Sequence, residues 1–331
     1  MVQLSRQKGF YMRIILSKGA HSTVFTDDAE PGIVTKEQNN PEKDPGYLHR
    51  QTRGYEIIDS IKSHTTDTGV LLPELVEIKN LGNKQIIKEK IIPGKAFDVP
   101  TYLSLSEEQK NNIAKQMAIF LNAMHSSYEC KPATESIKNM NKGELNNAED
   151  IIAKFDGKLP KNISNRLKQA EQYLLTADIS DEVIVMTHKD LRTSNIMYDE
   201  STGKIAVIDF ELAGLDNVYH DFVAFAPASS MPWDFIKRVI GFYNKIPNKK
   251  YPININAEKV QNMLLYGVLH EFARCIRPED NKNTTQKDIN ILINKLETVT
   301  GIKFDKKSIF ENAAKKVPKM NNYIPDLGHD M

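Results

Sequence analysis

The sequence predicts an α+β chain of two lobes, an N-terminal antiparallel sheet with one helix followed by a larger, mostly helical lobe. Three observations predict it. Short β-rich segments run from residue 10 to residue 92, interrupted by a single helical pattern. Apolar residues recur at helical spacing from Ala257 to Ile276 and from Thr285 to Val299. The 331 residues are also enough for two cores. Pro93-Gly94 reads as a turn after a strand, so the expected lobes are 1–93 and 94–331.

The first strand is Tyr11–Leu16. Ser17–Ser22 leads from it to Thr23–Thr26, and Glu30-Pro-Gly32 turns the chain into Ile33–Lys36. A loop with small residues between strands can bring backbone N–H groups close to phosphate oxygens. Ser17, Gly19 and Ser22 are the candidates here. With one glycine this is not the G-x-G-x-x-G form, and by itself it reads as a hairpin turn.

Lys36 ends the third strand, where an ammonium can reach α- and β-phosphates. The helical pattern His49–Lys62 follows, with Tyr55, Ile58 and Ile61 along one side. Glu56 on that helix is the expected partner of Lys36. Glu37 is nearer in sequence, but in a strand it faces the other way. Two more strands are expected, Leu71–Ile78 and Gln85–Ile92. The backbone from Glu89 to Ile91 is placed to meet an adenine edge.

The second lobe carries the most specific motif. Val183–Met186 reads as a buried strand leading into His188-Lys-Asp-Leu-Arg-Thr-Ser-Asn195. Ile196–Tyr198 and Lys204–Ile208 read as strands joined by the turn Asp199–Gly203, and Asp209 follows. Such a hairpin brings Asn195 and Asp209 together. In phosphoryl transfer one carboxylate takes or orients the proton of the attacking hydroxyl, while an amide oxygen and another carboxylate hold magnesium. Asp190 has the residue type and place for the first role, Asn195 and Asp209 for the second. Arg192 is placed to stabilise phosphoryl oxygens.

Composition narrows the class. The net charge of +1 gives no global field toward nucleic acid or lipid. Cys130 and Cys275 stand far apart without metal-ligand spacing, so a reducing compartment is expected. No apolar run approaches the ~20 residues of a membrane span, and Arg6, Lys8 and Arg13 interrupt any signal-like start. The expectation is a cytoplasmic protein with no nucleic-acid partner and no membrane span.

The H-x-D-x-x-x-x-N loop is a kinase catalytic-loop signature, and its surroundings carry a closer likeness. The chain resembles the aminoglycoside phosphotransferase and choline kinase superfamily, which has the bilobal protein-kinase-like fold. The resemblance rests on Lys36, Glu56, Ile91-Ile-Pro-Gly94, Leu121-Asn-Ala-Met-His125, the His188–Asn195 loop, Ile208-Asp-Phe-Glu211 and His220-Asp-Phe-Val223. It implies Asp190 as catalytic base, Asn195 and Asp209 as magnesium ligands, and Lys36 on the phosphates of ATP with Glu56 as its partner. It also implies Asp221 as support of the catalytic loop, and His125 as a structural residue. Three departures disfavour a protein kinase. Glu211 stands where Gly follows Asp-Phe, Ala226-Pro227 is followed by Ala228 rather than Glu, and eleven residues between Asp209 and Asp221 leave no room for a peptide-binding segment.

The expected acceptor is therefore a small-molecule hydroxyl, with part of its site in the insertion 126–182. Glu271, Glu279, Asp280 and Asp288 are available for a polycationic aminoglycoside. Trp233, Phe235, Tyr243, Tyr266 and Phe272 are available as a cage for choline or ethanolamine. A catalytically silent nucleotide-binding module is the competing class, favoured only by the sparse glycine loop.

Overall fold

The computed structural model describes residues 3–6, 12–18, 21–81, 85–132, 148–155, 157–176, 182–224, 231–247, 250–251, 253–275 and 285–304. The N-terminal part is built on strands β1 (Gln3–Arg6), β2 (Met12–Lys18), β3 (Ser22–Asp27) and β4 (Ile33–Gln38), then helix α1 (Tyr47–His64), then β5 (Leu75–Asn80) and β6 (Gln85–Lys90). They form one antiparallel sheet in the order β1-β2-β3-β4-β6-β5. The sequence indicated five of these strands. β1 went unseen because four residues with alternating polar character carry little periodic signal, and its pairing with β2 is what defines it. Leu71 is held apart from β5 by Pro73 and bridges to Ala206 instead.

Helix α1 turns Tyr47, Gln51, Gly54, Tyr55, Ile58 and Ile61 inward, the i, i+3, i+4 spacing of a buried face. Gly54 is what lets it approach the segment after Asp209. A Cβ there would stand 3.1 Å from the Phe210 carbonyl oxygen.

The chain leaves the first sheet at Pro93-Gly94. Strand β7 (Lys95–Ala96) pairs with β10 (Ile196–Asp199), and β11 (Lys204–Val207) completes that second sheet. Gly94 has φ of +113°, and a Cβ would come within 2.5 Å of the Tyr198 carbonyl oxygen. Gly94→Ala is therefore expected to lower stability by roughly 1–3 kcal/mol or more, read as a reduced urea midpoint at unchanged slope. An unchanged midpoint would contradict the close approach.

Helices α2 (Val99–Ser104) and α3 (Glu107–Ser126) follow, α3 starting in a capping box between Ser106 and Gln109. After β8 (Lys131–Pro132), α4 (Ala148–Ala153) and α5 (Lys161–Thr176), β9 (Val183–Thr187) leads into the His188–Asn195 loop. β12 (Gly214–Asn217), β9 and β8 make the third sheet. Helices α6 (His220–Val223), α7 (Trp233–Lys245), α8 (Ala257–Cys275) and α9 (Gln286–Thr300) complete the helical part. α3 packs on α7, and α8 on both α5 and α9, around a core that includes Met117, Leu121, Val239, Leu264 and Leu292. The fold is the α+β arrangement the sequence predicts. No helix among the described residues is long and apolar enough to cross a membrane.

Candidate active site

Strand β9 delivers the chain to the site, and Asp221 holds it there. The Asp221 carboxylate is fully buried and accepts hydrogen bonds from the backbone N–H of His188 (3.0 Å) and of Lys189 (3.1 Å). His125 from α3 reaches the same carboxylate at 3.3 Å and Tyr243 at 2.9 Å. Burial opposes ionisation of Asp221, but His125 and the neighbouring histidines outweigh it and hold its pKa below the ordinary carboxylate value. Lys189 adopts a left-handed φ of 66° at this bend.

The His188 ring is buried against Phe210, with centroids 4.6 Å apart. Its Nδ1 accepts from the Asp190 N–H at 3.3 Å, so the proton belongs on Nε2, which donates to the Ile208 carbonyl at 3.1 Å. Burial drives the His188 pKa down, which keeps this neutral tautomer.

Among the described residues, Asp190 is engaged on one side only. Its Oδ2 accepts from Asn195 Nδ2 (2.7 Å) and from Arg192 Nη2 (2.8 Å) and Nε (3.0 Å). Asn195 Nδ2 also donates to the Asp190 carbonyl at 2.9 Å. With its amide nitrogen committed, Asn195 keeps Oδ1 for another partner, the sole neighbour being Ser194 Oγ at 3.4 Å among the described residues. The hairpin of β10 and β11 closes as expected, with Ile196 opposite Val207 and the Ile208 N–H bonded to the Asn195 carbonyl. Asp209 follows at once, in a left-handed conformation with φ of 69°, and no hydrogen bond from the described residues engages its carboxylate.

Lys36 comes from the first sheet and is nearly buried. Its Nζ lies 3.0 Å from Glu89 Oε1, and Tyr55 donates its hydroxyl to the same oxygen. Burial alone would lower the Lys36 pKa, but Glu89 and then Asp209 reverse that and raise it. The expected partner, Glu56, is exposed and does not meet Lys36. The reason is helical phase, since one residue past inward-facing Tyr55 the side chain is turned about 100° away. Glu89 reaches Lys36 because β4 and β6 pair Lys36 with Ile87, leaving Glu89 as the diagonal neighbour on the same face.

The adenine expectation at Glu89–Ile91 also needs correction. The Lys90 N–H is bonded to Glu74 O at 3.0 Å and the Ile91 N–H to Gly32 O at 2.8 Å, so the strand ladder consumes these donors. Glu89 spends its side chain on Lys36 and Tyr55. Ser17 is exposed at the end of β2 and Ser22 begins β3, while Gly19 lies outside the described residues.

Sequence reasoning missed four residues here. A small cleft behind Lys36 is lined by Gln51, Tyr55, Glu89, Asp209 and Glu211, among others. Glu211 accepts from Gln51 Nε2 at 2.9 Å, and burial followed by Asp209 raises its pKa. Tyr47, at the start of α1, is buried as well. The inward stripe of α1 was the signal for Gln51 and Tyr55; Tyr47 fell before the predicted start of that helix.

The acceptor candidates do not converge. Phe235, Tyr243 and Tyr266 are buried in the core, and Phe272 stacks on Phe155. Trp233 packs against Gly301. No cage for a quaternary ammonium forms from these side chains. Asp288 caps α9 and Glu271 pairs with Arg274, while Glu279 and Asp280 lie outside the described residues.

The profile of the Phosphotransferase enzyme family matches residues 90–240, which span the His188–Asn195 loop and Asp209. No curated protein sequence matches the chain. Among solved structures, ADP-bound aminoglycoside phosphotransferase APH(2'')-Ib superposes with a TM-score of 0.52 at 18% identity, over 86% of this chain and 93% of its own. The GDP complex of a mutant aminoglycoside 2'-phosphotransferase-IIIa gives 0.55 at 15% identity, over 91% and 92%. The streptomycin–ATP–APH(2'')-IIa ternary complex gives 0.50 at 17%, over 87% and 93%. These structures show the bilobal, protein-kinase-like fold read from the sequence, and the phosphotransferase likeness is matched by the family profile over residues 90–240.

Proposed function

From a phosphotransferase-family segment set in an aminoglycoside phosphotransferase fold, we propose an ATP- and magnesium-dependent kinase of a small-molecule hydroxyl. One observation carries the reading. Among the described residues, Asp190 Oδ1 and the Asp209 carboxylate have no hydrogen-bond partner and Asn195 Oδ1 accepts only a long bond of 3.4 Å from Ser194 Oγ, and all three come from one loop and one hairpin. Lys36, electrostatically coupled to Asp209, stands across from them. The division at Pro93-Gly94 into a nucleotide lobe and a catalytic lobe belongs to the same proposal.

Magnesium fits this donor set. Among the described residues no cluster of three or more His, Cys, Asp or Glu forms a closed metal cage. Magnesium does not require one, because it takes one or two protein oxygens and completes its shell with waters and nucleotide phosphates. Asn195 Oδ1 and Asp209 would hold it, and it would neutralise charge on the phosphates.

The protein's own part is positioning and proton transfer. Asp190 Oδ1 accepts the proton of the acceptor hydroxyl. The hydroxyl oxygen forms a bond to the γ-phosphorus as the bond to the ADP oxygen breaks. Arg192 holds the Asp190 carboxylate in direction and sets positive charge beside the transferring group. Lys36 steadies the α- and β-phosphates.

The test is ATP consumption by the purified protein with magnesium across aminoglycosides, choline, ethanolamine, sugars and amino alcohols. Stimulation by one acceptor that disappears in Asp190→Ala supports the reading and identifies the acceptor class. Bound ATP with no turnover on any acceptor supports the silent module instead. Asp209→Ala is expected to weaken ATP binding in magnesium by at least about 10–100-fold, the range seen even for outer partners of metal ligands. Equal affinity with and without the substitution, by calorimetry, would remove Asp209 from the metal role.

A further inference from the structure

We infer that Gln51 is a positioning residue for the magnesium aspartate: by holding Glu211 across the cleft, it fixes the turn that aims the Asp209 carboxylate. The inference rests on the kinase reading and gives α1 a part in metal binding that neither the sequence motifs nor that reading assigns.

Asp209 needs such support. Its φ of 69° lies in the left-handed region, which residues with a Cβ seldom occupy. The direction of its carboxylate therefore depends on what holds the backbone on either side. Upstream, the Ile208 N–H is bonded to the Asn195 carbonyl, and the Ile208 carbonyl accepts from His188. Downstream there is a single turn, Phe210–Leu212, closed by one bond from the Ala213 N–H to the Phe210 carbonyl at 3.0 Å. The Phe210 ring pins one side of this turn, set against His188 at 4.6 Å and edge-on to Phe120 at 6.2 Å.

Helix α1 holds the other side. Gln51 Nε2 donates to Glu211 Oε2 at 2.9 Å, the one side-chain hydrogen bond that reaches the turn among the described residues. A carboxylate only accepts, so the amide must present its nitrogen. Gly54 stands one turn further along the same face of α1, and its missing Cβ lets the helix come close enough for Gln51 to reach. Gln51 is 6% exposed, so an amide deprived of Glu211 has little water to turn to. Gln51, Gly54, Asp209, Phe210 and Glu211 line one cleft with Lys36. A turn of three residues has no slack. Once Glu211 is released, the peptide planes between it and Asp209 are free to rotate, and the carboxylate loses its aim.

The experiment uses Gln51→Met and Glu211→Met, alone and together, each keeping side-chain length and removing one end of the bond. ATP binding is measured by calorimetry with magnesium and with a chelator, alongside urea unfolding. Gln51→Met should weaken ATP binding in magnesium about tenfold, the low end for residues that orient a metal ligand, and leave binding in chelator unchanged. Glu211→Met should give the same loss, and the double variant no more than either, because all three lack one bond. Gln51→Asn, polar but one methylene too short to reach, repeats the test should Gln51→Met not fold. Unchanged affinity in magnesium overturns the inference. So does an equal loss in chelator, which with a lowered urea midpoint marks a packing residue and with an unchanged one a nucleotide contact. A larger loss at Glu211→Met, or additive losses, overturns it as well, by making Glu211 itself the partner of the metal. A parent protein that binds ATP equally with and without magnesium overturns the kinase reading itself, and the role of Gln51 falls with it.

Discussion

Asp190→Asn is expected to lower kcat by about 10²–10⁴-fold while ATP affinity stays close to that of the parent. The amide cannot take the acceptor's proton, but it retains an oxygen for Asn195 and Arg192 on the Oδ2 side. The loop itself should survive, because its position depends on Asp221 and His188 rather than on the Asp190 charge. Single-turnover kinetics with saturating ATP separate the two quantities. A variant that keeps more than about a tenth of the parent rate would show that proton transfer to this carboxylate is not needed. Loss of ATP binding with the rate would instead place Asp190 in nucleotide binding.

The second large effect is expected at Glu89. Glu89→Ala leaves the Lys36 ammonium nearly buried without its carboxylate and strips Tyr55 of its acceptor. Removing one member of such a pair typically costs about 3–5 kcal/mol. Glu89→Leu should recover part of the stability but none of the nucleotide affinity, since it restores volume without directing Lys36. Glu56→Ala serves as the comparison and should change neither property, as its side chain is exposed. Chemical denaturation and nucleotide titration of the three variants decide it. Equal effects at Glu89 and Glu56 would contradict the strand pairing.

The parts of the site that a reader of the sequence can see are those made by neighbours in the chain. His188 to Asn195 is eight consecutive residues, and the hairpin to Asp209 is one short turn, so local spacing nearly determines their geometry. The strand β9 was visible for the same reason. What needs partners from far along the chain was hidden. Glu89 meets Lys36 across fifty-three positions through a strand register that no local pattern reveals. The error at Glu56 was avoidable, because a stripe through Tyr55, Ile58 and Ile61 already turns residue 56 outward. The aromatic residues of α7 and α8 show the opposite weakness. Their spacing fits a core and a binding cage equally well, and only packing distinguishes the two.

The site of the Lys36 partner has a consequence for control. In protein kinases the equivalent carboxylate rides on a helix, and moving that helix makes and breaks the pair, which is how such enzymes are switched. Here lysine and glutamate stand on adjacent strands of one hydrogen-bonded sheet. No swing of α1 can part them without tearing the ladder between β4 and β6. On the proposed kinase reading, a chain built this way keeps its lysine directed at all times, with no helix movement needed to arm it.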